Sequence, residues 1–180
     1  MPFAVFRTDH FTDYIDRSGI SRLRVECGSS AQAAGNEFTA TQTSTAAISP
    51  QVMRLVAAEP IDITGAEMTV NVGGVNVFIY ESTAGAAGGT FTALPVQTTN
   101  LRNPRAPSFS AATGGTFTPS GNAIRQMTVS TGTSGANLMS NTRRMSGVVS
   151  LPAGTYYIVT GLLSGVTAFT GELIVTIVDL

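Results

Sequence analysis

The stretch Glu67-Met68-Thr69-Val70-Asn71-Val72-Gly73-Gly74-Val75-Asn76-Val77-Phe78-Ile79-Tyr80 decides the fold class. Met68, Val70 and Val72 alternate with Glu67, Thr69 and Asn71. A period of two puts apolar side chains on one face of a strand and polar ones on the other. After the glycine pair a second apolar run begins. Two readings fit, a hairpin turning at Gly73-Gly74 or one long strand with a bulge.

The same logic extends outward. Towards the N-terminus, Leu23, Val25 and Cys27 alternate with Arg22, Arg24 and Glu26, a strand with one buried and one charged face. Towards the C-terminus, residues 90–96, 123–131, 147–151, 155–160 and 166–178 read as strands or strand pairs. Gly114-Gly115, Pro119-Ser120-Gly121 and Pro152-Ala153-Gly154 supply turn chemistry between them. Threonine and valine favour strands, and residues for long amphipathic helices are scarce. One segment, 50–58, admits a helix with Ser49 as N-cap, Pro50 as first residue and Pro60 as stop, with an extended conformation as the alternative. The expectation is an all-β chain, a β-sandwich or barrel.

A chain of 180 residues with 12% charged residues and a net charge of −1 is long enough for one well-packed domain, with or without an arm. All ten basic residues are arginine. The lack of lysine excludes a Walker A loop, a Schiff-base lysine and a polylysine patch. Near-neutral charge argues against bare nucleic acid as the main partner. The lone Cys27 cannot close an internal disulfide. No secretory signal pattern opens the chain, and no run of about 18 apolar residues suggests a membrane span. Assembly in a cytoplasm, without membrane or nucleic-acid partners, is the expectation.

Charge is concentrated in the first 26 residues, whereas nothing charged lies between Arg144 and Glu172. Residues 28–50 are mostly Ala, Ser, Thr, Gln and Gly, with few core anchors. This predicts an N-terminal arm or peripheral layer over residues 1–60 and a β-sandwich domain over 61–180.

Candidate chemistry is thin. Asp9, Asp13 and Asp16 flank His10, the single histidine, but match no metal-loop spacing and read as solvated acids beside Arg7 and Arg17. No serine sits in a Gly-x-Ser-x-Gly elbow. Cys27 ends an apolar strand face and reads as core. The glycine run 85–89 lacks the Lys-Ser/Thr of a phosphate loop and reads as a hairpin loop. Arg102, Arg105, Arg143 and Arg144 read as loop salt bridges or protein-interface anchors. No catalytic, cofactor or metal residues are expected.

Three stretches carry a resemblance. Val75-Asn76-Val77-Phe78-Ile79-Tyr80-Glu81, a Gly/Ala loop and Thr90-Phe91-Thr92-Ala93 form the first, Asn100-Leu101-Arg102-Asn103 the second, and Leu151-Pro152-Ala153-Gly154-Thr155-Tyr156-Tyr157-Ile158-Val159-Thr160 the third. With a closing apolar strand at 172–178, their order over residues 66–180 resembles small jelly-roll structural proteins of tailed phages, a group that includes capsid cement and decoration proteins. Pro104 stands where a serine is usual there, and the first sixty residues match no part of the pattern. The resemblance implies a non-enzymatic virion protein of jelly-roll type that stabilises the shell. Its implied partners are its own copies, as a trimer, and the major capsid protein. A tail, baseplate or head-fibre component, or a carbohydrate- or receptor-binding sandwich, is the alternative. Arg22, Arg24, Arg102, Asn103 and Arg105 are the expected contact residues.

Overall fold

The structure, a computed structural model, describes residues 11–15, 21–25, 34–101, 104–131 and 140–180. Within them lie fourteen strands. Helical geometry among the described residues is limited to Ala34 and a 3-10 turn at Ser82–Ala84. β1 (Phe11–Ile15) and β2 (Ser21–Val25) pair only with each other among the described residues, in an antiparallel ribbon.

The remaining strands are β3 (Glu37–Ala47), β4 (Gln51–Ala57), β5 (Ile61–Val72), β6 (Gly74–Glu81), β7 (Gly85–Leu94), β8 (Val96–Thr98), β9 (Phe109–Pro119), β10 (Arg125–Ser130), β11 (Asn141–Arg144), β12 (Val149–Leu151), β13 (Gly154–Leu162) and β14 (Phe169–Asp179). They build two antiparallel sheets. Sheet I has the order β10-β6-β13-β4-β9-β7; sheet II has β11-β5-β14-β3-β8, with β12 also on β5. The all-β sandwich expected from the alternation is what the chain forms.

The pairing is nested. β3 pairs with β14, β4 with β13, β5 with β11 and β12, and β6 with β10. Counting β11 and β12 as one interrupted strand on β5, successive strands of this nested set alternate between the sheets, so it behaves as one long antiparallel hairpin wrapped around the core. Wrapping also brings β14 beside β5 and β13 beside β6. At the tip of the hairpin, between β6 and β10, the chain makes an excursion. It lays β9 and β7 beyond β4, and β8 beyond β3.

Inward side chains fill the space between the sheets. Phe38, Met53, Leu55, Ile61, Ile63, Met68, Val77, Ile79, Tyr156, Ile158, Leu173 and Ile177 are all buried there. Burying side chains of this size contributes about 1.5–3 kcal/mol each, the main driving force for closing the two sheets. Gln42 on β3 makes polar links across the core: its Nε2 donates to Thr113 Oγ1 on β9 and to the Val52 carbonyl on β4 at 3.4 Å.

Two expectations change, and one open alternative is decided. The chain neither turns a hairpin nor runs on as one strand at Gly73-Gly74; β5 and β6 lie in different sheets. Gly73 makes the corner, with φ 89° and a position where a Cβ would lie 2.5 Å from the Ala168 carbonyl oxygen. The left-handed geometry and the close approach both require glycine. Residues 51–57 form a strand rather than a helix, because β4 is interior, paired to β13 and β9. Val52 is buried on one face and Met53 and Leu55 on the other, which erases the alternation that marks a half-exposed strand. The boundary expected near Pro60 also falls inside the sandwich. β3 and β4, drawn from the expected arm, are interior strands of sheets II and I, so the sandwich begins by Glu37.

Candidate functional site

The two outer faces differ in chemistry. On sheet II, Thr39, Thr41, Thr43, Glu172 and Thr69 point away from the core. Thr69 and Thr142 share a hydrogen bond of 2.8 Å, and Thr43 donates to Glu172 Oε1 at 3.5 Å. This is an ordinary hydrated face.

Sheet I carries a second apolar cluster on its outer side: Val52, Tyr80, Phe117, Tyr157 and Val159, with Phe78 and Phe91 packed against it. Tyr80, Tyr157 and Arg54 are register partners across β6, β13 and β4, so the cluster begins as one row of adjacent side chains. Its cover comes from the excursion. β9 pairs with β4 only through residues 109–113; beyond Thr113 its partner is β7 alone, Gly114 opposite Phe91 and residues 116–119 opposite 85–88. There Phe117 stacks on Tyr157 at 4.4 Å and meets Tyr80 at 5.4 Å. The distal half of the β7–β9 hairpin therefore folds back over sheet I. Gly114 and Gly115, with φ 95° and 52°, make the bend. A Cβ on Gly115 would lie 2.5 Å from the Phe91 ring.

The glycine run 85–89, expected as a hairpin loop, is instead strand. Residues 85–88 pair with 116–119, and the register slips before Phe91. The absence of bulky side chains there lets β7 follow the bend.

Arg54 lies over Phe91 with its guanidinium carbon 4.5 Å from the ring centroid, a cation–π contact. Between the β3–β4 connection and the folded-back hairpin runs a cleft of about 320 Å³ lined by Ser49, Pro50, Gln51, Val52 and residues 114–118. The lining holds no ionisable side chain. Beneath sheet I, the Tyr156 hydroxyl donates to the Pro152 carbonyl at 2.8 Å. Burial, with a further contribution from the Glu81 carboxylate, holds its phenol above the usual tyrosine value.

Three of the five expected contact residues lie among the described residues. Arg22 and Arg24 stand on β2, in register with Tyr14 and Thr12. Arg102 and Asn103 lie outside the described residues, as do Asp9, His10, Asp16 and Cys27. Arg105 is exposed and donates through Nη1 to Asn36 Oδ1 at 3.0 Å. Arg143 and Arg144 occupy β11 and bind backbone: Arg143 Nη1 reaches Thr128 O at 2.9 Å, and Arg144 Nη2 reaches Thr64 O at 3.3 Å. Among the described residues no three His, Cys, Asp or Glu side chains converge as metal ligands, and no helix is long and apolar enough to cross a membrane.

Sequence reading missed the features that most affect surface chemistry. The folded-back hairpin is one. The other is the character of the sheet edges, since β7 is a ten-residue edge strand without a charged residue. The composition of residues 85–94 was the available signal. No family model, curated protein or solved structure matches this chain.

Proposed function

We propose that this chain is a non-enzymatic structural protein of a phage virion, a capsid cement or decoration protein of jelly-roll type that acts through contacts with its own copies and with the major capsid protein. One observation carries the reading. The two longest stretches of the resemblance, on β6 and β13, are adjacent antiparallel strands at the centre of sheet I, with Tyr80 opposite Tyr157 and Ile79 opposite Ile158. Residues 75–81 and 154–160 of the resemblance are thus neighbours in one sheet, while Thr90–Ala93 lies on β7 at the far edge of that sheet. The nested strand pairing supports the jelly-roll description, since two interlocked Greek keys produce such an order. A surface rich in threonine, alanine and glycine also suits packing against protein, because few charges must be desolvated there.

Imaging purified virions tests the proposal. Density matching the sandwich is expected on the outside of the capsid shell, and purified protein should raise the melting temperature of shells that lack it. Density confined to the tail would replace the cement role with the tail reading; virions without the chain would end both.

A further inference from the structure

The sandwich has four open strand edges, and three of them are managed. β8 presents only three residues. The opposite edge of sheet II is divided between β11 and β12 and carries Arg143 and Arg144. On β10, two of the carbonyls that face outward are already occupied: Thr128 O accepts from Arg143, and Ser130 O accepts from Asn141 Nδ2 at 2.8 Å. Short length, charge and side-chain capping are the usual protections against edge-to-edge pairing.

β7 has none of them. It runs for ten residues, Gly-Ala-Ala-Gly-Gly-Thr-Phe-Thr-Ala-Leu, without a charge or an internal proline, and no described strand pairs with its outer edge. Its two halves are not equivalent. Residues 85–88 ride on the folded-back hairpin, whereas 91–94 pair with 111–114 and continue the plane of sheet I beside β4. Pro95, which has no N–H, ends that segment.

We propose that residues 90–94 of β7 form a self-pairing edge, joining two copies of this chain antiparallel about a twofold axis near Thr92. The occupant follows by elimination and by charge. The other described edges are short, split or capped, which leaves β7 of a second copy as the strand with open backbone groups. A twofold sets each residue against a residue of the same segment, so a charged strand would repel itself; this one is neutral throughout. Thr92 faces Thr92 of the second copy, a favourable cross-strand pair, and Phe91 faces Ala93, which leaves room for its ring. Two six-stranded sheets become one of twelve strands. The inference specifies a contact within the homo-oligomer proposed above and rests on that reading for its biological setting alone. It gives an even copy number where the sequence resemblance favoured three.

Light scattering on the purified full chain at micromolar concentration tests it. Wild type should weigh an even multiple of 18.6 kDa. Thr92→Lys, which adds a charge to the edge, should halve that mass while the strand spectrum is retained, and Gln97→Lys on β8 should leave the mass unchanged. If Thr92→Lys fails to fold, Thr92→Cys in a Cys27→Ser background should give a covalent dimer with a short bismaleimide, because facing residues lie about 4.5–5.5 Å apart at Cβ. A monomeric wild type, a threefold mass, a mass indifferent to Thr92→Lys, or no cross-linked dimer overturns the inference. Virion imaging reports independently. A dimer that no virion contains defeats the functional reading alone, and virion density from a monomeric protein defeats the edge alone.

Discussion

Phe117 stacks nearly parallel on Tyr157, with ring centroids 4.4 Å apart and planes 16° from parallel, although their strands β9 and β13 are separated in sheet I by β4. Flat neighbours in a sheet could not meet across an intervening strand. The stack exists because β9 leaves the sheet after Thr113 and folds back over its outer face. That fold-back turns an aromatic surface into a second, smaller core.

Truncating Phe117→Ala should therefore cost about 3 kcal/mol, the range for a buried aromatic together with its ring contacts. Urea unfolding should show the loss, and near-UV circular dichroism should lose tyrosine signal while the far-UV strand spectrum persists. A cost below about 1 kcal/mol would mean that the hairpin does not seal the face.

Gly115→Ala should destabilise by about 2 kcal/mol, from left-handed backbone strain at φ 52° and the clash of a new Cβ with Phe91. Gly161→Ala is the control. A Cβ there meets nothing within 4 Å, so its effect on the melting temperature should be small.

Alkaline stability should report Tyr156. Its folded-state pKa is raised, chiefly by burial, so its contribution is complete below the unfolded value of about 10 and is lost as pH rises through the folded value. Melting temperature should fall above about pH 10. Tyr156→Phe should flatten that decline, at a cost near neutrality of about 1 kcal/mol for the lost hydrogen bond to Pro152. An unchanged alkaline slope in the variant would assign the decline elsewhere.

Asp179 ties the end of β14 to the start of β9, accepting from Ser108 N at 2.8 Å and from Ser108 Oγ at 2.9 Å. Asp179→Ala leaves the half-buried Ser108 amide without its acceptor and should cost about 1.5–3 kcal/mol in chemical denaturation. Ser108→Ala, which keeps the amide bond, should cost less.

Deletions separate the N-terminal segment from the sandwich. Removing residues 1–33 should preserve a cooperative melt, since β3 to β14 all lie beyond it. Removing 1–60 should abolish that melt, because it takes an interior strand from each sheet. Equal melts for both deletions would show that β3 and β4 are dispensable.

Strand content was legible wherever one face is buried and the other wet. β5 and β14 alternate in sequence because they alternate in environment, as the β14 burial pattern shows residue by residue, whereas β13 is buried on both faces, with Tyr156 and Ile158 in the main core and Tyr157 and Val159 in the outer cluster. β4 was ambiguous because Val52 is buried on the outer face beside Met53 and Leu55 on the inner one, while Val56, also on the outer face, is apolar yet exposed. β3 was invisible for a different reason. Its inward positions after Phe38 are Ala40, Gln42 and Ser44, so Thr-Ala-Thr-Gln-Thr-Ser-Thr shows no hydrophobic period although backbone pairing with β14 and β8 makes it a strand. The candidate contact residues Arg22, Arg24, Arg102, Asn103 and Arg105 were chosen chiefly for charge, whereas the edge proposed above is neutral. Charge is easily seen in a sequence, whereas an unpaired row of backbone groups is not.

By itself, the sequence determined that this chain is all-β, because side-chain alternation and turn residues act over a few neighbouring positions and need no tertiary context. It also set the approximate bounds of the strands that have one wet face. Only the tertiary structure decided which strands pair, that Gly73 is a corner between sheets, that residues 37–57 belong to the sandwich, and that β9 folds back to stack Phe117 on Tyr157. Those outcomes depend on contacts among residues tens of positions apart, where closing the core around Phe38, Leu55, Ile79 and Ile158 outweighs any local preference.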